Sequence, residues 1–270
     1  MADARSLLFV PGSQPERFEK AVATGADLVC IDLEDAVSPV DKAKARETTL
    51  DFLASGSVNA GLRLNGLSTK DGVADLYSLI ENEIKPAFVM VPKVEAPETI
   101  HLYRDWVGDQ TQIIPIVETA KGLERAQEIF AALGVGYGLF GGVDYAADVG
   151  CALSYDGLLA PRTRLLNAAA VSGTSLIDTP YTNVRDLEGL AHEIKKTRSI
   201  GMRARAAIHP DQIPIIHTSF SPTAEERDYA QRVIEAFDAA EGKAALMDGK
   251  LIELPVIKAA RRVLATPGDG

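Results

Sequence analysis

Eight short apolar runs, each followed by a longer stretch of helical pattern, constrain this chain more than any other feature of it. The predicted strands are Ser6–Val10, Leu28–Leu33, Gly61–Leu64, Ala87–Val91, Gln112–Val117, Tyr137–Phe140, Ser175–Ile177 and Ala206–Ile208. The predicted helices are Pro15–Thr24, Lys42–Ala54, Val73–Asn82, Pro97–Val107, Gly122–Leu133, Leu159–Val171 and Leu187–Ile200. Several carry boundary signals: Gly25 and Gly201 suit a residue just past a helix end, and Pro97 suits a first helical position. Strand–helix alternation argues for βαβ units and a parallel sheet. Eight such units suggest an α/β fold of the closed (β/α)8, TIM-type kind more than an open sheet.

At 270 residues the chain has room for nearly two domains of about 150 residues, yet α/β barrels run to roughly 250 residues as one. The barrel is expected over residues 1–220. Residues 221–270 read as a C-terminal helical extension. A helix over Thr223–Glu241 opens with Ser221-Pro-Thr-Ala-Glu-Glu226, which carries N-cap and acidic first-turn signals. A segment Met247–Pro255 and a short basic helix, Val256–Leu264, follow. This tail is either extra packing, a lid, or an arm onto a neighbouring subunit.

The net charge of −10 leaves no basic surplus, so a nucleic-acid partner is not expected. The first apolar run, Leu7-Leu-Phe-Val10, is too short for a signal peptide or a membrane span. A cytoplasmic protein with reduced thiols is expected, and no membrane partner. Cys30 and Cys151 are too few for a disulfide scaffold and lack zinc-ligand spacing. Cys30 lies inside an apolar run and reads as a buried, inert thiol.

Active sites of such barrels lie at the carboxyl ends of the strands. The residues there are Pro11-Gly12, Glu34-Asp35, Arg63 with Asn65, Pro92-Lys93, Glu118, Gly141-Gly-Val-Asp144, Asp178 and His209-Pro210. Several carboxylates with few histidines and no thiolate cluster suit a hard cation, with Mg²⁺ the default. The competing reading is that these acids cap helices or pair with Arg and Lys.

Eight motifs, in register along nearly the whole chain, resemble the citrate lyase beta-subunit-like family. They are Arg5-Ser-Leu-Leu-Phe-Val-Pro-Gly12, Ile31-Asp-Leu-Glu-Asp-Ala-Val37 with Lys42 and Arg46 behind it, Arg63-Leu-Asn65, Val91-Pro-Lys-Val94, Val117-Glu-Thr-Ala120, Phe140-Gly-Gly-Val-Asp144 through Asp148-Val-Gly150, Ile177-Asp-Thr-Pro-Tyr181 and Ile208-His-Pro210. That family sits within the HpcH/HpaI group of metal-dependent aldolases and acyl-CoA lyases. The resemblance implies a TIM-type barrel, Mg²⁺, and a reversible Claisen-type or aldol-type cleavage of a CoA thioester to a 2-keto acid. It implies Glu118 and Asp144 as metal ligands, and Arg63 on the substrate carboxylate and developing oxyanion. It also implies a homo-oligomer, a trimer or a multiple of one.

Three departures stand out. Val143 occupies a position that is usually glutamate. Ala204-Arg205 replaces a Gly-Lys pair but keeps the charge. The tail motif reads Gly249-Lys-Leu-Ile-Glu253, with glutamate in place of aspartate.

The substrate expected from the resemblance is citramalyl-CoA, malyl-CoA or a similar 3-hydroxyacyl-CoA. Glu253 from a second subunit is the candidate acid for the thioester enolate, with Glu34 and Asp35 as local alternatives. Those two acids would otherwise bind Lys42 or Arg46 and brace the rim. Pro11, Gly12, Lys93 and Gly142 are further substrate-binding candidates. The glycines would admit CoA phosphates or merely turn the chain, and Lys93 at a strand end is a Schiff-base competitor. His209 is a general base or a rim brace, and Asp178 a cap or brace. Two other functions stay open: a citryl-thioester lyase subunit acting on an acyl carrier protein, and a non-catalytic barrel that binds a thioester or keto acid.

Overall fold

The computed structural model describes residues 4–56, 59–240 and 243–266. The chain divides into two compact units, Met1–Ile216 and His217–Gly270. In the first, eight parallel strands close on themselves: β1 (Ser6–Pro11), β2 (Leu28–Asp32), β3 (Ala60–Arg63), β4 (Phe88–Val91), β5 (Gln112–Val117), β6 (Tyr137–Phe140), β7 (Ser175–Asp178) and β8 (Ala204–Ala207). Each strand pairs with the next, and β8 returns to β1 through Ser6↔Arg205, Leu7↔Ala206 and Leu8↔Ala207. The expected barrel is therefore present.

Successive strand residues face opposite sides. Leu28 with Cys30, Phe88 with Met90, Ile114 with Ile116, and Ala204 with Ala206 fill one interior cluster. The strands are buried on both faces, which is why they read as continuous apolar runs. Cys30 is fully buried there, and burial pushes its thiol pKa up, as an inert thiol requires.

The helices around the barrel are α1 (Phe18–Val22, after a 3₁₀ turn Pro15–Arg17), α2 (Lys42–Ala54), α3 (Lys70–Glu81), α4 (Pro97–Val107), α5 (Ala120–Glu124), α6 (Ala126–Phe130), α7 (Gly142–Val149), α8 (Tyr155–Ser172) and α9 (Leu187–Ile200). Then comes α10 (Gln212–Phe220).

Several expectations need correction. Strand eight begins at Ala204, because Arg205 is a strand residue whose charge is neutralised inside the protein. The helix predicted over Gly122–Leu133 is two short helices that break at Arg125, where φ is −103° and ψ is 13°. Asp144, read as part of a glycine-rich turn, sits in the first turn of α7. That helix escaped notice because it opens on glycine, a weak helix former. Helix α10 escaped because Pro214 interrupts its pattern.

The second unit has its own small core of Ala230, Val233, Phe237, Ile252, Ile257 and Ala260. Helix α11 (Ala224–Ala239) starts with a full capping box: the Glu226 N–H donates to Thr223 Oγ1 at 3.1 Å, and the Thr223 N–H donates to the Glu226 carboxylate at 2.9 Å. Its predicted end, Glu241, lies outside the described residues. Strands β9 (Ala245–Met247) and β10 (Lys250–Ile252) form a hairpin turned by Asp248-Gly249, both with positive φ as a tight hairpin requires. Helix α12 (Leu254–Ala265) follows Glu253. No helix among the described residues is long and apolar enough to cross a membrane.

Candidate active site

The carboxyl ends of the strands open into one cavity of about 400 Å³. Its polar wall is Asp32, Asp35, Arg63, Glu118, Asp144 and Thr179; its apolar wall includes Phe9, Ile116, Leu139, Val143 and Ile208.

Asp32 and Arg63 end neighbouring strands in register with one another. Arg63 Nε donates to Asp32 Oδ1 at 2.7 Å and Nη2 donates to Oδ2 at 2.5 Å. Its remaining nitrogen, Nη1, lies 3.0 Å from Glu34 Oε2 and 3.8 Å from Asp35 Oδ2. The guanidinium also stacks over Phe9, 5.2 Å from the ring centroid. Burial alone would lower its pKa; the hydrogen-bonded Asp32 carboxylate overrides this and raises it. Asp32 was not singled out from the sequence. The signal was there, since a carboxylate ending a fully apolar strand needs a partner once buried.

Glu34 is buried, and burial, with Asp35 and Asp32 nearby, raises its pKa against the opposing pull of Arg63 and Lys93. Asp35 is exposed at the rim. The bracing expected of Lys42 and Arg46 takes a different form. Lys42 Nζ donates to the backbone oxygens of Leu33 and Glu34 and to Asn65 Oδ1, at 2.7, 2.5 and 2.7 Å. Arg46 pairs with Asp75 and Asp71. Neither cation takes the Glu34 or Asp35 carboxylate; Arg63 lies between the two acids, and Lys93 lies against Glu34.

Glu118 follows β5 and is 2% exposed. Its Oε1 accepts the Lys93 backbone N–H at 2.7 Å. Lys93 adopts φ of 49°, a left-handed conformation, to aim that N–H. Burial, then the charge of Glu34, push the Glu118 carboxyl up to about 8, and Asp144 adds to the push. A Cβ on Gly141 would lie 2.4 Å from Glu118 Oε2, so only glycine lets the start of α7 come this close. Two carboxylates, Glu118 and Asp144, thus share one cavity wall. Among the described residues no group of three or more His, Cys, Asp or Glu could hold a metal ion.

Other candidates are placed as follows. Pro11 lines the cavity. Gly12 is buried, its N–H donates to Asp32 O at 2.8 Å, and a Cβ there would meet Leu33 at 2.8 Å. Gly142 is buried and its N–H donates to Thr179 Oγ1 at 3.1 Å. The N–H groups of both glycines are taken by protein oxygens, and both sit where a side chain would crowd its neighbours. Lys93 Nζ is half-exposed, 3.4 Å from Glu34. Burial opposes its charge, but Glu34, Asp35 and Glu118 outweigh this and raise its pKa, the opposite of what a Schiff-base lysine needs. Asp178 is fully buried between Arg162 and Arg205, at 2.9 and 3.3 Å, and both arginines also reach Glu193. Glu253 is exposed and belongs to the second unit.

A second cavity of about 340 Å³ shares Phe9, Pro11 and Ile208 with the first. Arg17 and Lys20 give it a cationic rim, and His209 lies on the same wall. His209 is exposed, and its Nδ1 accepts the Asp211 N–H at 3.2 Å.

Residues 5–210 match the model of the HpcH/HpaI aldolase/citrate lyase family. The chain belongs to this family, and it is a lyase. It is 30% identical to the mitochondrial citramalyl-CoA lyase of Rattus norvegicus, across 96% of this chain and 85% of that one. It is 35% identical to a (3S)-malyl-CoA thioesterase of Cereibacter sphaeroides, across 97% of this chain and 93% of that one. The CitE protein of Mycobacterium tuberculosis, solved with magnesium, acetoacetate and coenzyme A, superposes with a TM-score of 0.86 at 30% identity, covering 97% of each chain.

Proposed function

We propose that the protein is an Mg²⁺-dependent carbon–carbon lyase. It would cleave a 3-hydroxyacyl-CoA, such as citramalyl-CoA or malyl-CoA, to acetyl-CoA and a 2-keto acid. The observation that carries this reading is the buried Glu118 carboxylate, with Asp144 beside it and Arg63 in the same cavity. A carboxyl pushed up to about 8 by burial and by neighbouring acids lacks a counter-charge that a divalent cation would supply. Two carboxylates with substrate oxygens and water completing the shell is an ordinary arrangement for Mg²⁺. When bound there, the cation supplies Lewis-acid polarisation of the substrate's oxygens.

The chain's own groups do the remaining work. Asp32 fixes the plane of Arg63 by a two-point contact. Arg63 is then set to hold a substrate carboxylate and to stabilise negative charge on the thioester oxygen as the carbon–carbon bond breaks. As the bond breaks, the substrate's hydroxyl gives up its proton and becomes the keto group, the bond's electron pair passes to the thioester enolate, and one proton is returned to the enolate carbon, so that no proton is gained or lost overall. Glu34, with its raised pKa and its place against Arg63, is the local acid in this reading. Glu253 of a neighbouring copy is its competitor, and E34Q against E253Q separates the two.

The cavity wall favours a keto half bearing one carboxylate. Arg63 is the one cation among the lining residues described, and carboxylates crowd around it. The second carboxylate of a citryl group would face Asp32, Asp35, Glu118 and Asp144, or the apolar surface of Val143 and Ile208. A methyl or hydrogen suits that surface. The cationic rim of the adjoining cavity supports CoA, whose phosphates would meet Arg17 and Lys20.

A product assay tests the proposal. Malyl-CoA, both citramalyl-CoA stereoisomers and citryl-CoA are each supplied with Mg²⁺, and acetyl-CoA, free CoA and keto acid are measured. Acetyl-CoA with an equal amount of glyoxylate or pyruvate is expected. Free CoA without keto acid means thioester hydrolysis and contradicts the proposal, as does activity confined to citryl-CoA.

A further inference from the structure

Helix α7 carries Asp144, yet it has no N-terminal cap of its own. The capping position is Gly141, which has no side chain to offer, and the first helical N–H groups would lack partners. Thr179, from the end of β7, fills that role from outside: its Oγ1 accepts the Gly142 N–H at 3.1 Å. The approach is close enough that a Cβ on Gly142 would lie 3.1 Å from Thr179 Cβ and 3.0 Å from Leu158. Thr179 is itself fixed, since its N–H donates at 2.9 Å to Asp178, which the buried Arg162 and Arg205 grip.

The far end of the same helix is tied to the other carboxylate's segment. Asp148 Oδ2 accepts the N–H of Ala120, two residues after Glu118, at 2.7 Å. Between these two anchors, Gly141 donates its N–H to Val117 O at 3.1 Å and lies against the Glu118 carboxylate. Helix α7 is thus tied at both ends by hydrogen bonds from backbone N–H groups to side-chain oxygens, Gly142 to Thr179 at its start and Ala120 to Asp148 at its end.

We infer that Thr179 and Asp148 are positioning residues that set Asp144 at its working separation from Glu118, as a two-point clamp on α7. The inference rests on the metal reading above. A carboxylate pair binds a small, geometrically strict cation only when both members are held at the right separation, and groups that orient ligands commonly influence metal affinity by 10–100-fold.

The test is Mn²⁺ binding followed by electron paramagnetic resonance, alongside thermal unfolding of the metal-free protein. The variants are T179V, which keeps the shape and removes the acceptor, T179S, which restores it, and D148A. E118Q serves as the reference for lost binding. Thr179 lines the cavity, so catalytic constants alone would mix substrate and metal effects; Mn²⁺ affinity does not. The clamp predicts affinity weakened about 10-fold or more in T179V and in D148A, wild-type affinity in T179S, and further weakening in the double variant. Wild-type affinity in both T179V and D148A overturns the clamp and leaves the metal reading standing. Should T179V fail to fold, D148A, on an exposed stretch of α7, decides by itself. A wild-type protein that binds no Mn²⁺, or E118Q that binds it normally, overturns the metal reading and the clamp with it.

Discussion

Arg63 and Asp32 meet edge to edge, with Nε 2.7 Å from Oδ1 and Nη2 2.5 Å from Oδ2, at the ends of adjacent strands. Lysine carries the charge of Arg63 but not its planar fork. R63K is therefore expected to lose on the order of 10²–10³ in kcat while keeping its Mg²⁺ affinity. Steady-state kinetics beside calorimetric Mg²⁺ titration checks this. Unchanged kcat would remove Arg63 from the chemistry.

The Glu118 carboxyl, pushed up to about 8 by burial and neighbouring acids, gives two pH effects. A carboxyl whose folded pKa exceeds its unfolded value favours the folded state most below the unfolded pKa. That contribution is lost as pH rises from about 4.5 toward about 8. Metal-free E118Q should accordingly melt higher than the metal-free wild type at pH 8, by roughly 2–4 °C for each kcal/mol recovered. The second effect runs the other way: Mg²⁺ needs the ionised carboxylate, so its affinity should rise across pH 6–8 and level off above. Equal melting points, with affinity flat across that range, would contradict the assignment.

Gly141 leaves no room for a methyl, because a Cβ there would lie 2.4 Å from Glu118 Oε2. G141A is expected to displace that carboxylate and lower metal affinity about 10–100-fold. Mn²⁺ titration of the variant reads this directly, and wild-type affinity would mean the carboxylate is not a ligand in this position.

Lys93 offers its backbone N–H to Glu118 and keeps its own amine charged beside Glu34. A protonated amine is not a nucleophile. Borohydride added with pyruvate or glyoxylate should leave activity intact. Inactivation with a mass increase on Lys93 would revive the Schiff-base route.

Much of this architecture is legible in the sequence because its physics is local. The seven strands before β8 are apolar runs, and helices α2, α4 and α9 match their predicted bounds because punctuation and periodicity agree there. What escaped was set by distant partners. Arg205 looks like a strand breaker until Asp178 and Glu193 are placed around it. Asp32 looks like any strand end until Arg63 arrives 31 residues later. Helix α7 begins on glycine, and its cap comes from Thr179, 37 residues further along the chain. The motif residues Arg63, Glu118 and Asp144 do converge on one cavity, and Gly12 and Gly142 sit where close neighbours leave little room for a side chain, which no local pattern foretells.

A cation held by Glu118 and Asp144, if carbon–carbon cleavage requires it, makes that cleavage depend on both carboxylates and on added metal. The most direct measurement is acetyl-CoA release from citramalyl-CoA or malyl-CoA by protein treated with EDTA, then resupplied with Mg²⁺, for wild type, E118Q and D144N. Cleavage abolished by EDTA, restored by Mg²⁺ in the wild type and in neither variant, is the predicted result. Cleavage that persists in EDTA, or that Mg²⁺ restores fully in both variants, would contradict it.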